Sequence, residues 1–201
     1  MTDLPDWVAS RLPAAARHSG LAIVSLGDAK TFGRGGFTLS SPAFGKGEEL
    51  DPCFTAKEED AVAPPLEWTA PPSGSQELVV IVEEVSAAGA TQSPACHWLV
   101  WGLAGQRGKL LEGETPPRAG KNAHGNSEWL LPDPPIGETR HYLFQIFATE
   151  LPLTLMPGAN REDLMASIKG FVTACDVLYA PFTGIPKDTG DDDGAWDEDD
   201  I

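Results

Sequence analysis

The sequence contains few of the residues that build metal centres and disulfide scaffolds. Cysteine occurs three times and histidine four times in 201 residues. The three cysteines, Cys53, Cys96 and Cys175, are widely spaced and odd in number. This pattern argues against a disulfide framework and against a zinc site. We therefore expect no metal and no cofactor, and a reducing, cytoplasmic location.

Long hydrophobic runs are also missing. No apolar stretch approaches the roughly 20 residues that a membrane-spanning helix needs. The acidic segment Met1–Trp7 lacks the basic start and apolar centre that are typical of a signal peptide. We expect no integral membrane association.

Basic residues are scarce, at 14 against 30 acidic residues, and the net charge is −16. Eight of the acids lie in residues 188–201, which hold no lysine or arginine. Because the rest of the chain is also acidic, nucleic acid is not an expected partner. The segment 187–201 has almost nothing to bury, so we predict a disordered acidic tail.

Glycine and proline are abundant, at 21 and 18 residues, which favours many short strands and turns. We predict a mainly β domain over residues 21–186, an N-terminal helical extension over residues 1–20, and one peripheral helix near each terminus. The predicted helices are Asp6–Arg17 and a second one capped by Asn160, whose apolar face holds Leu164, Ile168, Phe171 and Cys175. The predicted strands are Leu21–Leu26, Leu78–Val82, His97–Leu103, Tyr142–Ala148 and Val177–Phe182.

Two of these strands carry the main candidate site. Glu83 and Glu84 follow Leu78–Val82, and His97 opens the next strand. If the two strands form an antiparallel hairpin, a carboxylate and an imidazole meet at one end of the sheet. A histidine beside carboxylates is a plausible receptor for an anion or a polar headgroup. A histidine that only caps a strand is the alternative, and the residues alone do not decide between the two.

The order of motifs along the chain resembles the phosphatidylethanolamine-binding protein family, also called Raf kinase inhibitor-like proteins, and within it the fungal-type branch. The matching stretches are Phe37–Phe44, Ala63–Trp68, Leu78–Glu84, Cys96-His97, Gly120–Asn122 with Gly125-Asn126, Gly137–Phe144 and Ile168–Gly170.

This resemblance implies a β-sandwich with a large central antiparallel-rich sheet and a small pocket at one sheet end. In the family the pocket binds phosphate, acetate or phosphorylethanolamine-like groups. It is formed by an Asp-Pro-Asp motif, a histidine and a His-Arg-Tyr motif. Here His97 matches the histidine, Glu84-Val85-Ser86 stands in place of Asp-Pro-Asp, and Arg140-His141-Tyr142 stands in place of His-Arg-Tyr.

These changes affect the expected ligand. Arg140 adds a fixed positive charge that could bind a carboxylate or a phosphate through two hydrogen bonds, so we expect the site to be more positive. A pocket that has decayed while the scaffold persists is the alternative. The expected ligand-binding residues are Glu84, Ser86, His97, Trp129, Arg140 and Tyr142.

Two functions follow from the resemblance. The first is a binding or regulatory protein that holds a small anion or a lipid headgroup and inhibits a kinase or protease partner. The second is an enzyme or accessory factor in the biosynthesis of secondary metabolites. In that case His97 would act as acid or base, Glu84 would orient it, and Arg140 would hold a substrate carboxylate.

Overall fold

The short apolar runs of the sequence lie in a five-stranded antiparallel sheet. The computed structural model describes residues 4–86 and 92–187. The sheet has the order β6-β4-β3-β7-β8. Its strands are β3 (Glu77–Ser86), β4 (Ala95–Ala104), β6 (Arg118–Ala119), β7 (Thr139–Thr149) and β8 (Val172–Thr183). The predicted hairpin is confirmed, since β3 pairs with β4 in antiparallel register.

A smaller sheet lies beside this one and completes the mainly β architecture. It has the order β1-β2-β5 and consists of β1 (Leu39–Ser40), β2 (Leu66–Trp68) and β5 (Gly108–Leu110). Trp68 from β2 belongs to the same apolar cluster as Trp98 of the large sheet. The predicted fold class is therefore confirmed.

Both faces of the large sheet are covered, which explains why β3 lacks a polar face. Leu78, Val80 and Val82 face the small sheet, whereas Val79 and Ile81 face the helices. Glu83 and Glu84 do not end the strand, as the sequence suggested, because β3 continues through Ser86. Successive side chains of a strand point to opposite faces, so the two carboxylates lie on opposite sides of the sheet.

The helices are shorter than predicted. They are α1 (Asp6–Ala9), α2 (Ala22–Leu26) and α3 (Arg161–Ile168), and single 3₁₀ turns occur at Ala14–Ala16, Arg34–Gly36 and Pro52–Phe54. Among the described residues, no helix has the length and apolar character that crossing a membrane requires.

Three sequence predictions about these segments were wrong in detail. The helix predicted over Asp6–Arg17 is interrupted because Pro13 cannot continue a helical hydrogen-bond ladder. Leu21–Leu26 contains helix α2 instead of a strand. The helix that Asn160 caps stops before Phe171, because Gly170 has a φ of +86° and such a conformation ends a helix.

The remaining predictions concern the ends of the chain and the last strands. Tyr142–Ala148 and Val177–Phe182 lie within β7 and β8, as predicted. Cys175, expected on a helix, lies in β8. The acidic tail falls outside the described residues from position 188 onwards. The domain boundaries at residues 20 and 186 stay predictions.

The carboxylate of Glu83 attaches the helices to the sheet. Its side chain is fully buried and forms an ion pair with Arg161, the first residue of α3. It also accepts hydrogen bonds from the Ala22 backbone N–H at 2.8 Å and from the Gln145 amide at 2.7 Å. Gln145 in turn accepts from the Ile23 N–H at 2.8 Å. The backbone N–H groups at the start of α2 therefore donate to side chains of the sheet. These hydrogen bonds explain why an apolar segment that resembles a strand is helical here.

Removing the partner of Glu83 should destabilise the fold strongly. Arg161→Met would leave a buried carboxylate without its cation, which typically costs about 3–5 kcal/mol. Urea denaturation at neutral pH measures the loss. Arg34→Met is the matched control, because Arg34 is exposed and should change stability by no more than about 0.5 kcal/mol. Equal losses in the two variants would contradict the role given to this pair.

His141 is a second buried polar group on the helix side of the sheet. It pairs in register with Val85, and its Nδ1 atom is buried with no hydrogen-bond partner among the described residues. Burial lowers the pKa of His141 from the ordinary value of 6.5. Protonation is therefore less favourable in the folded protein than in the unfolded chain.

Because the pKa of His141 is lower in the folded protein than in the unfolded chain, we predict a loss of stability on acidification. As the pH falls below about 6.5, the unfolded chain takes up a proton at His141 before the folded protein does, and the free energy of unfolding decreases. His141→Leu should flatten this dependence, which can be measured as the shift in Tm between about pH 7.5 and 5.5. The same pH dependence in the variant and the wild type would contradict the prediction.

Candidate functional site

The pairing of β3 with its two neighbours assembles a polar cluster at one end of the large sheet. Glu84 stands opposite Ala95 of β4 on one side and opposite Tyr142 of β7 on the other. Ser86 stands opposite Arg140. Strand register therefore brings Glu84, Ser86, Arg140 and Tyr142 to the same end of the sheet.

A β-bulge directs His97 into this cluster. Val82 pairs with Trp98, and the next residue of β3, Glu83, pairs with Cys96, so His97 is an extra residue in β4. Bulges re-aim side chains in this way. As a result His97 and Trp98 lie on the same face of the sheet, and both rings contact Trp129.

Glu84 is the centre of the hydrogen-bond network. Its Oε1 atom accepts from Arg140 Nη1 at 2.7 Å. Its Oε2 atom accepts from the Tyr142 hydroxyl at 3.0 Å and lies 3.2 Å from His97 Nε2. Burial alone would raise the pKa of Glu84, but the hydrogen bonds and positive charge of His97 and Arg140 hold this pKa below its usual value. The carboxylate is therefore ionised, and it orients three neighbouring side chains.

Both ring nitrogens of His97 have hydrogen-bond partners. Nδ1 is 2.6 Å from the Leu130 carbonyl oxygen, which can only accept, so Nδ1 carries a proton. Nε2 lies 3.2 Å from the Glu84 carboxylate. His97 is thus held at both ring nitrogens.

Arg140 is held between two carboxylates. Besides its bond to Glu84, its Nε atom donates to Glu138 Oε1 at 3.0 Å. The Arg140 side chain is 28% exposed, and within the described residues its Nη2 atom donates no hydrogen bond. We expected the arginine to make the site more positive, but Glu84 and Glu138 offset its charge. The arginine therefore does not give this end of the sheet a strong positive field.

The other predicted residues lie around this network. Tyr142 is fully buried, and burial together with the neighbouring Glu84 charge raises the pKa of its hydroxyl. Ser86 donates to Glu138 Oε1 at 3.4 Å. Trp129 packs against His97 at 6.0 Å between ring centroids, and its indole N–H donates to the Phe54 carbonyl. All six predicted residues are thus neighbours.

Two members of the cluster were not anticipated from the sequence. Glu138 precedes Arg140 by two residues, and this spacing places two side chains on the same face of a strand. That signal was available and was missed. The Leu130 carbonyl was not predictable, because a backbone group has no sequence signature. In the described part of the chain, no group of three His, Cys, Asp or Glu residues is arranged to hold a metal ion.

Comparison with known proteins agrees with this architecture. The family model for phosphatidylethanolamine-binding proteins matches residues 40–183, which include every residue of the cluster. The chain belongs to the phosphatidylethanolamine-binding protein family. Its assignment to the fungal-type branch stays a prediction.

Relatives of this family member include proteins of bacteria and archaea. LppC of Mycobacterium tuberculosis, named as a candidate lipoprotein, is 35% identical over 150 residues, which cover 73% of this chain and 72% of that protein. The UPF0098 protein PH1269 of Pyrococcus horikoshii is 29% identical over 154 residues, covering 72% of this chain and 74% of that protein. The cytoplasmic location stays a prediction.

Solved structures of the family share the fold. The family homologue CT736 of Chlamydia trachomatis is 25% identical with a TM-score of 0.68, and the match covers 74% of this chain and 98% of that one. YbcL of Escherichia coli has a TM-score of 0.64 at 18% identity, covering 73% of this chain and 98% of that one, and supports the fold alone.

The two tyrosines of the protein give a matched test of the network. Tyr142→Phe removes a buried hydrogen bond to an ionised carboxylate, which is typically worth about 1.5–3 kcal/mol. Tyr179→Phe is the control, because no hydrogen bond of its hydroxyl occurs among the described residues. Thermal and urea denaturation should show a loss for the first variant and a change of less than about 0.5 kcal/mol for the second. Equal stabilities of the two variants would show that the hydrogen bond between Tyr142 and Glu84 does not stabilise the fold.

Proposed function

We propose that this protein is a non-enzymatic binding protein that holds a small anionic group, a phosphate or a carboxylate, against the cluster of Glu84, His97 and Arg140. The observation that carries the proposal is the state of Arg140. Glu84 and Glu138 fix the orientation of its guanidinium, while Nη2 keeps its hydrogen-bonding capacity at a partly exposed position. A guanidinium held in this way is pre-organised to donate to an oxyanion.

The surrounding groups favour a small, planar or tetrahedral anion. The Ser86 hydroxyl lies at the same strand end, opposite Arg140 in register, and donates to Glu138 Oε1. Since Glu84 and Glu138 neutralise much of the local positive charge, the ligand gains little from long-range attraction. We therefore expect modest affinity that depends on the geometry of the ligand.

The same contacts favour binding over catalysis. General acid–base catalysis would need a ring nitrogen of His97 that can exchange a proton with a substrate. Both ring nitrogens are engaged, one with the Leu130 carbonyl and one with Glu84. A role in secondary-metabolite biosynthesis and a kinase or protease partner stay predictions from the family resemblance.

Calorimetric titration tests the proposal. Phosphate, phosphorylethanolamine and a series of small dicarboxylates are titrated into the wild type, Arg140→Gln and His97→Ala. Loss of one charge-assisted hydrogen bond should weaken the preferred ligand at least about tenfold in Arg140→Gln. The ranking of phosphate against phosphorylethanolamine distinguishes a free anion from a lipid headgroup.

The control variant is Arg34→Gln, which removes an exposed arginine and should leave the affinity unchanged. Circular dichroism confirms that each variant is folded. If the folded wild type binds none of these anions, or if Arg140→Gln binds them as tightly as the wild type does, the proposed function is wrong.

A further inference from the structure

The carboxylate of Glu138 lies at the exposed edge of the cluster. Its side chain is 34% exposed, similar to Arg140 at 28%, whereas the Glu84 side chain is only 9% exposed. Glu84 belongs to the buried part of the network, together with His97 and Tyr142. Of the two carboxylates that contact Arg140, Glu138 is therefore the one that an anion arriving from solvent would meet.

Glu138 is held in place by its backbone and by its side chain. Its N–H donates to the Pro135 carbonyl at 2.9 Å, and its carbonyl oxygen accepts from the Gly184 N–H at 3.0 Å. Its Oε1 atom accepts from Arg140 Nε at 3.0 Å and from the Ser86 hydroxyl at 3.4 Å. The carboxylate is therefore a fixed negative charge beside the guanidinium.

Glu138 also occupies part of the donor surface of Arg140. A guanidinium can hold an oxyanion through two parallel N–H groups, either Nε with Nη2 or Nη1 with Nη2. Glu138 accepts from Nε, and Glu84 accepts from Nη1 at 2.7 Å. A ligand that binds Nη2 therefore shares the guanidinium with two carboxylates, and the charge of Glu138 repels the negative charge of the ligand.

The size of this repulsion depends on the charge of the ligand. For two charged groups at a fixed distance, the Coulomb energy is proportional to the product of their charges. A doubly charged oxyanion therefore loses twice as much binding free energy to Glu138 as a singly charged oxyanion of the same shape. Because the Glu138 side chain is partly exposed, water screens this repulsion and keeps it modest.

We propose that Glu138 is a specificity-determining residue, and that it makes this end of the sheet select singly charged oxyanions, such as a carboxylate or a sulfonate, over doubly charged ones of the same shape. The inference rests on the proposed anion site and adds to it the charge of the preferred ligand. It also gives Glu138 a role beyond orienting Arg140, since an uncharged acceptor could orient the guanidinium equally well.

The test compares methanesulfonate with sulfate, two tetrahedral anions that differ by one charge and do not titrate near neutral pH. Calorimetry on the wild type should show tighter binding of methanesulfonate. Glu138→Gln keeps an acceptor for Arg140 Nε and removes the charge. This variant should strengthen methanesulfonate about threefold and sulfate about tenfold, because doubling the interaction energy squares the fold-change.

Glu150→Gln is the matched control. Glu138 and Glu150 flank opposite ends of β7 (Thr139–Thr149), and Glu150 is exposed, so the control should keep the wild-type ratio of sulfate to methanesulfonate affinity. Circular dichroism confirms that both variants are folded.

Three results would overturn the inference while leaving the anion site in place. They are tighter binding of sulfate than of methanesulfonate by the wild type, an unchanged affinity ratio in Glu138→Gln, and an equal change of that ratio in Glu150→Gln. A merely structural role of Glu138 would shift both affinities together and leave the ratio constant. If the folded wild type binds neither anion and does not bind acetate, the anion site itself is wrong, and this inference with it.

Discussion

The structure depends on one constraint: β3 is covered on both faces, and yet it carries three carboxylates that must be satisfied there. Glu77 accepts from the backbone N–H groups of Gly102 and Leu153. Glu83 binds Arg161 and the start of α2, whereas Glu84 binds groups of β4 and β7. Because buried charges are costly unless they are paired, these three residues determine how the strands and helices around β3 are arranged.

The adjacent residues Glu83 and Glu84 have different roles on opposite faces of the sheet. On the helix side the carboxylate is fully buried and joins α2 and α3 to the sheet, which is a structural role. On the other side the carboxylate is ionised within reach of a partly exposed arginine, which is the arrangement expected of a binding site. The departures from the family motifs therefore leave an ordered cluster.

Much of the fold and of the candidate site could be predicted from the sequence. These are the parts in which a local residue pattern determines the structure. The apolar runs predicted the hairpin, and the motif order predicted the fold. The motif order also pointed to Glu84, Ser86, His97, Arg140 and Tyr142, which lie at one end of the sheet, and their role in binding stays a prediction. The sequence could not show that α2 is a helix, because Glu83 and Gln145 cap it from more than 60 residues away. The bulge at His97 and the bond of Arg140 to Glu84 also depend on long-range pairing, which leaves no local signal. The bond of Arg140 to Glu138, two residues away, is local.

The central claim is that an anion binds at the Glu84 end of the large sheet. The most direct measurement is a titration of the folded protein with phosphate, followed by the ¹⁵N resonances of the His97 ring and the Arg140 guanidinium. The account predicts saturable shifts at these two side chains and at the Ser86 backbone. Unchanged resonances there, or shifts confined to exposed basic residues such as Arg107 and Lys109, would contradict it.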